Sequence, residues 1–295
     1  MVNLLILLGY TSKIILSKLG EGYVEKVAKF LVEVVYYFLI PVAFFYNYSV
    51  KDLSARDLGL IGAYTMFIIV ALPLVYLAKR IKQLNLGDIE IKSLLLVAMF
   101  PNFVFLGFPV TLSIFGTISV ASVLGLYSIV LNVLVPELLS SRKPSFTGLL
   151  KIPALYGFGA GVFVHYVSLQ VLKPLIETLS ITPMLLSYVA TFTLGLRLGF
   201  VSSKISELAK FTLATSIFRF VVSPITAAVY SSALPILEPT EELQLIVLFS
   251  MPPAVLNTVI ADRLGWRTEL VSSSTFILTI FYVIAIYPLQ YALFG

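Results

Sequence analysis

The sequence of 295 residues has no cysteine, one histidine, one tryptophan and only 12% charged residues. Without cysteine there is no disulfide framework, thiol nucleophile or cysteine-ligated metal. A single histidine also excludes a metal site built on several imidazoles. A soluble domain carries about a quarter charged residues. A chain with so little charge and 59% hydrophobic residues cannot cover its apolar surface with polar side chains, so its solvent is predicted to be lipid.

Several motifs that carry chemistry are also missing. The sequence has no H-E-x-x-H, G-x-G-D or Walker motif, so it is predicted not to be an enzyme and to need no cofactor. A channel would have a repeated pore motif and rings of charge, and neither is found. These absences leave a carrier or a membrane receptor as the classes to weigh.

Long apolar runs divided by short polar linkers are what is present. A helix needs roughly 20 apolar residues to cross the bilayer core. We therefore predict an all-α membrane protein with ten transmembrane helices and no soluble domain. The first run is predicted to be a retained helix, since Lys13 and Lys18 follow it and no cleavage site comes after it. The ten predicted helices cover residues 2–19, 27–48, 58–79, 93–115, 118–138, 150–169, 181–200, 211–232, 243–264 and 270–293.

Lysine and arginine predict the orientation, since cytoplasmic loops carry the excess of positive charge. With the N-terminus outside, fourteen of the 20 basic residues lie in cytoplasmic loops or helix ends, and three, Lys51, Arg56 and Lys173, lie outside. The net charge of +5 is interpreted as this bias and not as a nucleic-acid surface. We predict a multi-pass protein of the cell membrane with both termini extracellular.

Prolines inside the predicted helices repeat at a near-constant spacing. Three pairs are 151 or 152 residues apart: Pro73 and Pro224, Pro101 and Pro253, Pro136 and Pro288. They fall in the third, fourth and fifth helices of each half. Because five is odd, the second half is predicted to be inverted, as in many secondary transporters. The predicted first repeat is 1–138, a cytoplasmic linker is 139–149, and the second repeat is 150–295.

The fourth and ninth predicted helices are interrupted at matching points. Pro101 and Pro109 each remove a backbone donor, and Gly107 adds flexibility. Pro252 and Pro253 are at the same depth of the ninth helix. Non-helical backbone at this depth lines a cavity or is buried in protein, and matched interruptions indicate a transporter's binding site.

The interruptions favour an anion as the ligand. A half-helix N-terminus presents free N–H groups and the positive end of its dipole. Asn102 and Asn257 follow the two breaks, and each can donate and accept two hydrogen bonds. The predicted substrate-binding residues are Pro101, Asn102, Gly107, Pro109, Pro252, Pro253 and Asn257.

The segment PNFVFLGFP resembles the fourth-helix signature of the auxin efflux carrier family, N-T-G-F-L-G-x-P, in Asn102 and in Phe105 to Gly107 and Pro109. Phe103 and Val104 depart from the small pair usual there. MPPAVLNTVIADRLG is similar to the family's ninth-helix pattern, and IFRFVVSP to its Arg-Phe-x-x-Gly-Pro, with Ser223 replacing glycine. The ten-helix layout matches over the whole chain, with the short central linker of prokaryotic members.

The resemblance implies a fold shared with bile-acid/sodium symporters. In it, helices 1, 2, 6 and 7 form a scaffold, helices 3–5 and 8–10 form a mobile transport unit, and the broken helices cross beside the substrate. It implies export or import of an organic anion, auxin-like or a dicarboxylate, by an elevator movement in a homodimer. The coupling ion, proton or sodium, is not implied, because the third helix has no charge in its interior.

Arg219, Glu33 and His165 are ionisable residues inside predicted helices. Arg219 could attract a carboxylate, hold a backbone carbonyl or snorkel to the surface. Glu33 could be an ion site, but an ion pair with Lys29, four residues earlier, is favoured. His165 is predicted to be interfacial.

Two rivals to an anion carrier stay open. A sodium-coupled symporter of the same fold could use Asn102, Asn257 and backbone carbonyls as sodium ligands. A receptor could bind at the broken helices without transport.

Overall fold

The structure is a computed structural model that describes residues 2–18, 20–81, 86–140, 146–168, 170–197 and 204–295. Within these ranges every regular element is a helix, apart from one isolated antiparallel bridge, which confirms the prediction of an all-α protein. The predicted helix ends at 19, 169 and 198–200, and residues 141–145 of the predicted linker, lie outside the described residues.

The helices of the first part of the chain follow one another with short connections. They are α1 (Val2–Ser17), α2 (Glu21–Val34), α3 (Ile40–Val50), α4 (Ala55–Ala78), α5 (Asp88–Met99), α6 (Phe108–Phe115), α7 (Ser119–Leu139) and α8 (Phe146–Leu149). The remaining helices are α9 (Pro153–Val167), α10 (Lys173–Leu179), α11 (Thr182–Arg197), α12 (Ile205–Ile217), α13 (Ser223–Ala233), α14 (Pro239–Phe249), α15 (Leu256–Leu264), α16 (Thr268–Phe281) and α17 (Tyr287–Phe294).

Six continuous helical stretches in the described residues are long and apolar enough to cross a membrane. Two shorter apolar helices, Val2–Ser17 and Phe103–Phe115, accompany them. The six stretches are Gly22–Val50, Ala55–Ala78, Ser119–Leu139, Lys173–Arg197, Ile205–Ala233 and Thr268–Phe294.

Three of the six stretches and one of the two shorter helices contain a π-helical segment. Each of these segments ends two residues before a proline. The segments are Val35–Leu39, Phe103–Gly107, Phe218–Val222 and Tyr282–Ile286, followed by Pro41, Pro109, Pro224 and Pro288. Proline cannot donate to the carbonyl four residues back and its ring crowds that carbonyl. One wider turn avoids the clash: Ile40, Ser223 and Tyr287 donate five residues back. The helices therefore continue through these prolines.

The chain forms two compact units. The first consists of residues 1–54, 104–133 and 145–198. Its closest helix pairs are α1 with α11 and α3 with α9. Glycine allows both approaches, since a Cβ on Gly9 would lie 2.2 Å from the Phe192 carbonyl oxygen and one on Gly157 would lie 2.1 Å from that of Pro41. Small residues at such crossings bring helix backbones together in membranes.

The second unit consists of residues 55–103, 134–144 and 199–295. In it α4 packs on α5 and α13, α13 packs on α14, and α16 packs on α12, α15 and α5. Its core contains large buried side chains that include Tyr64, Phe67 and Phe249. One of its fully buried side chains, Arg219, is charged.

Candidate functional site: the crossing of two broken helices

The first break lies between α5 and the π segment that precedes α6. The chain leaves the helix at Phe100, whose backbone is extended, and returns to helical geometry at Phe103. Pro101 is at the centre of this break, as predicted. The expectation that Pro109 also interrupts the helix is wrong, because the helix runs on from Phe103 to Phe115 and takes up Pro109 with the π turn.

The second break lies between α14 and α15 and is longer. Helix α14 ends at Phe249, and α15 begins at Leu256, so Ser250 to Val255 lie between them. Pro252 and Pro253 are in the middle of this segment, as predicted. No side chain of the described residues caps the N-terminus of α15.

The two breaks are hydrogen-bonded to each other as a short antiparallel bridge between Pro101 and Pro253. The Asn102 N–H donates to the Pro252 carbonyl, and the Ala254 N–H donates to the Phe100 carbonyl, both at 2.9 Å. An antiparallel pair has positions that exchange no hydrogen bonds, and the prolines occupy them because they have no N–H to give. We call residues 100–103 and 250–257 the helix crossing.

The two predicted asparagines are both buried at the helix crossing, 2% exposed for Asn102 and 0% for Asn257. Asn257 donates through Nδ2 to the carbonyls of Leu96, at 3.3 Å, and Phe100, at 3.0 Å. In the part of the chain that the structure describes, its Oδ1 has no hydrogen-bond partner, and neither has the Nδ2 of Asn102. The helix crossing thus holds one unused donor and one unused acceptor, each shielded from solvent.

Arg219 is fully buried and joins the ends of both half-helices. Its Nη1 donates to Ala98, its Nη2 to Phe249 and its Nε to Met251, all to carbonyl oxygens at 2.8–2.9 Å. Of the three interpretations in the sequence analysis, contact with backbone carbonyls is the one found. Snorkelling is wrong, since the side chain is 0% exposed.

These carbonyls need Arg219 because the breaks remove their usual donors. The carbonyl of Phe249 would accept from residue 253, which is a proline, and that of Ala98 from the Asn102 N–H, which bonds to Pro252 instead. The negative ends of two helix dipoles also stabilise the cation. No carboxylate pairs with Arg219 in the described part of the chain.

Aromatic residues pack beside the guanidinium, and one of them supplies a donor to a further carbonyl at the first break. The Phe67 ring lies 5.5 Å from the Arg219 Cζ. Tyr64 donates to the Met99 carbonyl at 2.9 Å, another carbonyl left without its helical donor, and its ring packs on Phe103 and Phe249. Sequence reasoning missed Tyr64 and Phe67, because an aromatic in an apolar helix is indistinguishable from ordinary core; only the tyrosine hydroxyl signals a partner.

The other predicted site residues belong to the first compact unit. Gly107 has ordinary helical dihedrals, and its carbonyl accepts from Thr111 at 2.9 Å. Glu33 and Lys29 are exposed on α2, and the favoured ion pair between them is not formed. His165 contacts Asp52 at 2.8 Å and the Ser49 carbonyl at 3.1 Å.

Apolar helices of spanning length and two interrupted helices bonded to each other define a multi-pass helical membrane protein. Residues 138–290 match the family model described as "Membrane transport protein". The chain is 30% identical over 221 residues to an uncharacterized transporter of Methanocaldococcus jannaschii, an alignment that covers 68% of each. The chain belongs to the auxin efflux carrier family of membrane transporters, which confirms the predicted family.

Proposed function

We propose that this protein carries a small organic anion, auxin-like or a dicarboxylate, across the cell membrane, and that the anion binds at the helix crossing. The observation that carries the proposal is the Nδ2 of Asn102, a hydrogen-bond donor that is buried and has no partner among the described residues. An unmade buried hydrogen bond costs about 1–3 kcal/mol. A carboxylate that accepts from this donor recovers that energy.

The charge of the helix crossing favours the same ligand. Arg219 brings one positive charge with no carboxylate partner among the described residues. Its donors are taken by carbonyls, so it acts on the ligand through its field and not by direct contact. In a site of low dielectric such a field is felt strongly.

We further propose ten spans in two inverted halves, residues 1–138 and 150–295, as the sequence predicts. The helix packing supports this. In the first unit the first predicted helix packs on the seventh, and the sixth packs on the second, both over glycine. The proposed repeat relates helix 1 to helix 6 and helix 2 to helix 7, so it maps one of these pairs onto the other. In the second unit the two broken helices meet at residues 152 apart.

Ion pairs support the proposed orientation, because each one recorded between described residues joins helix ends on a single proposed side. On the proposed cytoplasmic side Arg267 contacts Glu90, Glu207 and Glu269, at the starts of α5, α12 and α16. The hydrogen bond that Arg267 donates to the Glu207 carboxylate is the main cause that raises the pKa of Arg267 above its ordinary value. On the proposed outer side Arg56 contacts Glu238 and Glu241.

The absence of cysteine makes the orientation easy to test. Val171→Cys and Ile205→Cys place a thiol at exposed apolar positions, 83% and 82% exposed, on opposite proposed sides. In intact cells a membrane-impermeant maleimide is expected to label the cysteine at 171 and not the one at 205. The reverse labelling, or equal labelling, would contradict the orientation.

The mechanism we propose is an elevator movement of predicted helices 3–5 and 8–10 against the scaffold of helices 1, 2, 6 and 7, in a homodimer. It rests on the family resemblance. Cross-linking between single cysteines in the two groups, with and without substrate, tests it.

A sodium-coupled symporter is the second candidate, and the Oδ1 of Asn257 favours it. This buried oxygen has no hydrogen-bond partner within the described ranges, and amide and backbone oxygens are the ligands that sodium-like hard cations take.

A thermal-shift screen of purified protein against carboxylates, with and without sodium, separates the two candidates. A ligand that binds only the folded state raises the melting temperature. A sodium-independent shift with an aromatic acid or a dicarboxylate, followed by counterflow of that acid in liposomes, supports the anion carrier. A shift with sodium alone, or one that needs both, supports the symporter. No shift and no counterflow with any acid would overturn the anion proposal.

A further inference from the structure

A basic cleft of about 360 Å³ lies in the first compact unit. The ends of α1 and α11 and the start of α2 form it. Its charged lining consists of Lys13, Lys29 and Arg197 against a single carboxylate, Glu25. Ser17 adds a hydroxyl.

The close packing of α1 on α11 brings two of these cations together. A Cβ on Gly195 would lie 2.2 Å from the Ile6 carbonyl oxygen, so the backbones touch at Gly9 and Gly195. Lys13 is four residues beyond Gly9, and Arg197 two residues beyond Gly195, so both emerge just past the contact. Lys29 enters from α2, one turn after Glu25.

Three cations held around one cleft repel each other, and a single carboxylate leaves a positive surplus. No ion pair joins Lys29 or Arg197 to a residue in the described part of the chain. An anion of charge −1 or −2 would balance the cleft.

The position of the cleft indicates which anion. Three apolar helices end there: Val2–Ser17, the stretch that begins at Gly22 and the stretch that ends at Arg197. The ends of spanning helices lie at the level of lipid headgroups. Large apolar side chains that include Ile14, Val27 and Phe30 are exposed on the same helices, where acyl chains can pack.

We propose that this cleft binds the phosphate of an anionic phospholipid, with Lys13, Lys29 and Arg197 as its ligands. Basic pockets between spanning helices are known to hold such headgroups. The proposed topology puts the lipid in the cytoplasmic leaflet. The site does not depend on the identity of the transported solute.

The test is native mass spectrometry of the full-length protein titrated with phosphatidylglycerol, phosphatidylcholine or inorganic phosphate. Phosphatidylglycerol is expected to bind in preference to phosphatidylcholine. Each of Lys29→Gln and Arg197→Gln is expected to weaken its binding about fivefold, and the triple variant with Lys13→Gln roughly a hundredfold, since each cation near a lipid surface contributes about a factor of five. Lys26→Gln is the matched control, because Lys26 is exposed on α2 but does not line the cleft.

Equal binding of the two lipids by the wild type would overturn the proposal. So would equal losses in Lys26→Gln and Lys29→Gln, since the attraction would then belong to the whole basic surface. Inorganic phosphate binding that depends on the three cations, without a preference among lipids, would assign the cleft to a soluble phosphate instead. Lys29 and Arg197 are exposed, so the single variants are expected to keep the wild-type melting temperature, which serves as the folding check.

Discussion

The two breaks of the helix crossing carry the same residue types but use their asparagines differently. Asn102 lies in the short first break, and its side-chain donor is unused. Asn257 lies in the first turn of α15, after the longer break, and its donor is shared between the carbonyls of Leu96 in α5 and Phe100 just after it.

The difference follows from the length of each break and the number of prolines in it. Two adjacent prolines, Pro252 and Pro253, keep six residues out of the helix, so α15 starts beyond the bridge and Asn257 reaches back to α5. Pro101 alone keeps only three residues out, and Asn102 stays beside the bridge. Equivalent motifs thus give one side chain with an unused donor and one whose donor holds the backbone.

The largest expected effect is that of Arg219→Met, which affects both breaks. It leaves the carbonyls of Ala98, Phe249 and Met251 buried without their donor. The free energy of unfolding is expected to fall by about 3 kcal/mol, since the removal of a buried charge offsets part of the cost. The melting temperature of the purified protein is expected to fall by many degrees, as measured by tryptophan and tyrosine fluorescence. Arg219→Lys keeps the charge but not the fork of donors, so it is expected to recover only part of the loss. An unchanged melting temperature in both variants would contradict the role of Arg219.

Asn102→Ala is expected to affect the ligand and not the fold. The unused donor gives nothing to the free protein, so the melting temperature without ligand should be unchanged or slightly higher. A hydrogen bond to a charged group contributes about 1.5–3 kcal/mol, so affinity for the transported carboxylate should fall roughly tenfold to a hundredfold. The test is the rise in melting temperature on addition of the ligand, together with the Kd from isothermal titration calorimetry. Wild-type affinity in the variant would remove Asn102 from the site.

Tyr64→Phe is expected to affect the end of α5 alone. The Met99 carbonyl loses its donor, while no hydrogen bond of α14 changes, so stability should fall by about 1.5 kcal/mol. Tyr76→Phe, on the exposed side of the same helix, is the matched control and should be neutral. The melting temperatures of both variants are compared with that of the wild type. An equal change in the two variants would show that the hydrogen bond of Tyr64 does not stabilise the protein.

The smallest effect is expected for Asn257→Ala, and it is opposite in kind to that of Asn102→Ala. The carbonyls of Leu96 and Phe100 keep backbone donors, from Phe100 and Ala254, so the loss of stability is about 1 kcal/mol. The shift with a carboxylate should be retained. If sodium raises the melting temperature of the wild type, Asn257→Ala should lose this effect, because the variant lacks the Oδ1. If the variant lost the carboxylate shift instead, Asn257 would be a ligand of the anion and the contrast between the breaks would fail.

Composition, hydrophobic runs and proline positions determined much of this molecule before any folding was considered. Apolar stretches near spanning length can satisfy their backbone in lipid only as helices, so an all-α fold followed directly. Pro101, Pro252 and Pro253 marked positions where a helix loses a backbone hydrogen bond, because a proline has no N–H to donate wherever the chain is placed.

Tertiary structure decided what happens around those prolines. At Pro41, Pro109, Pro224 and Pro288 a wider turn keeps the helix continuous, and no local signal distinguishes these from Pro101. Which asparagine keeps a free donor, and that Arg219 serves carbonyls from α5 and α14, depend on contacts between residues about 30 to 160 positions apart. A buried polar group needs a hydrogen-bond partner whatever the fold. Only the packing of the chain decides whether another residue comes within 3 Å of that group or whether the group stays without a partner.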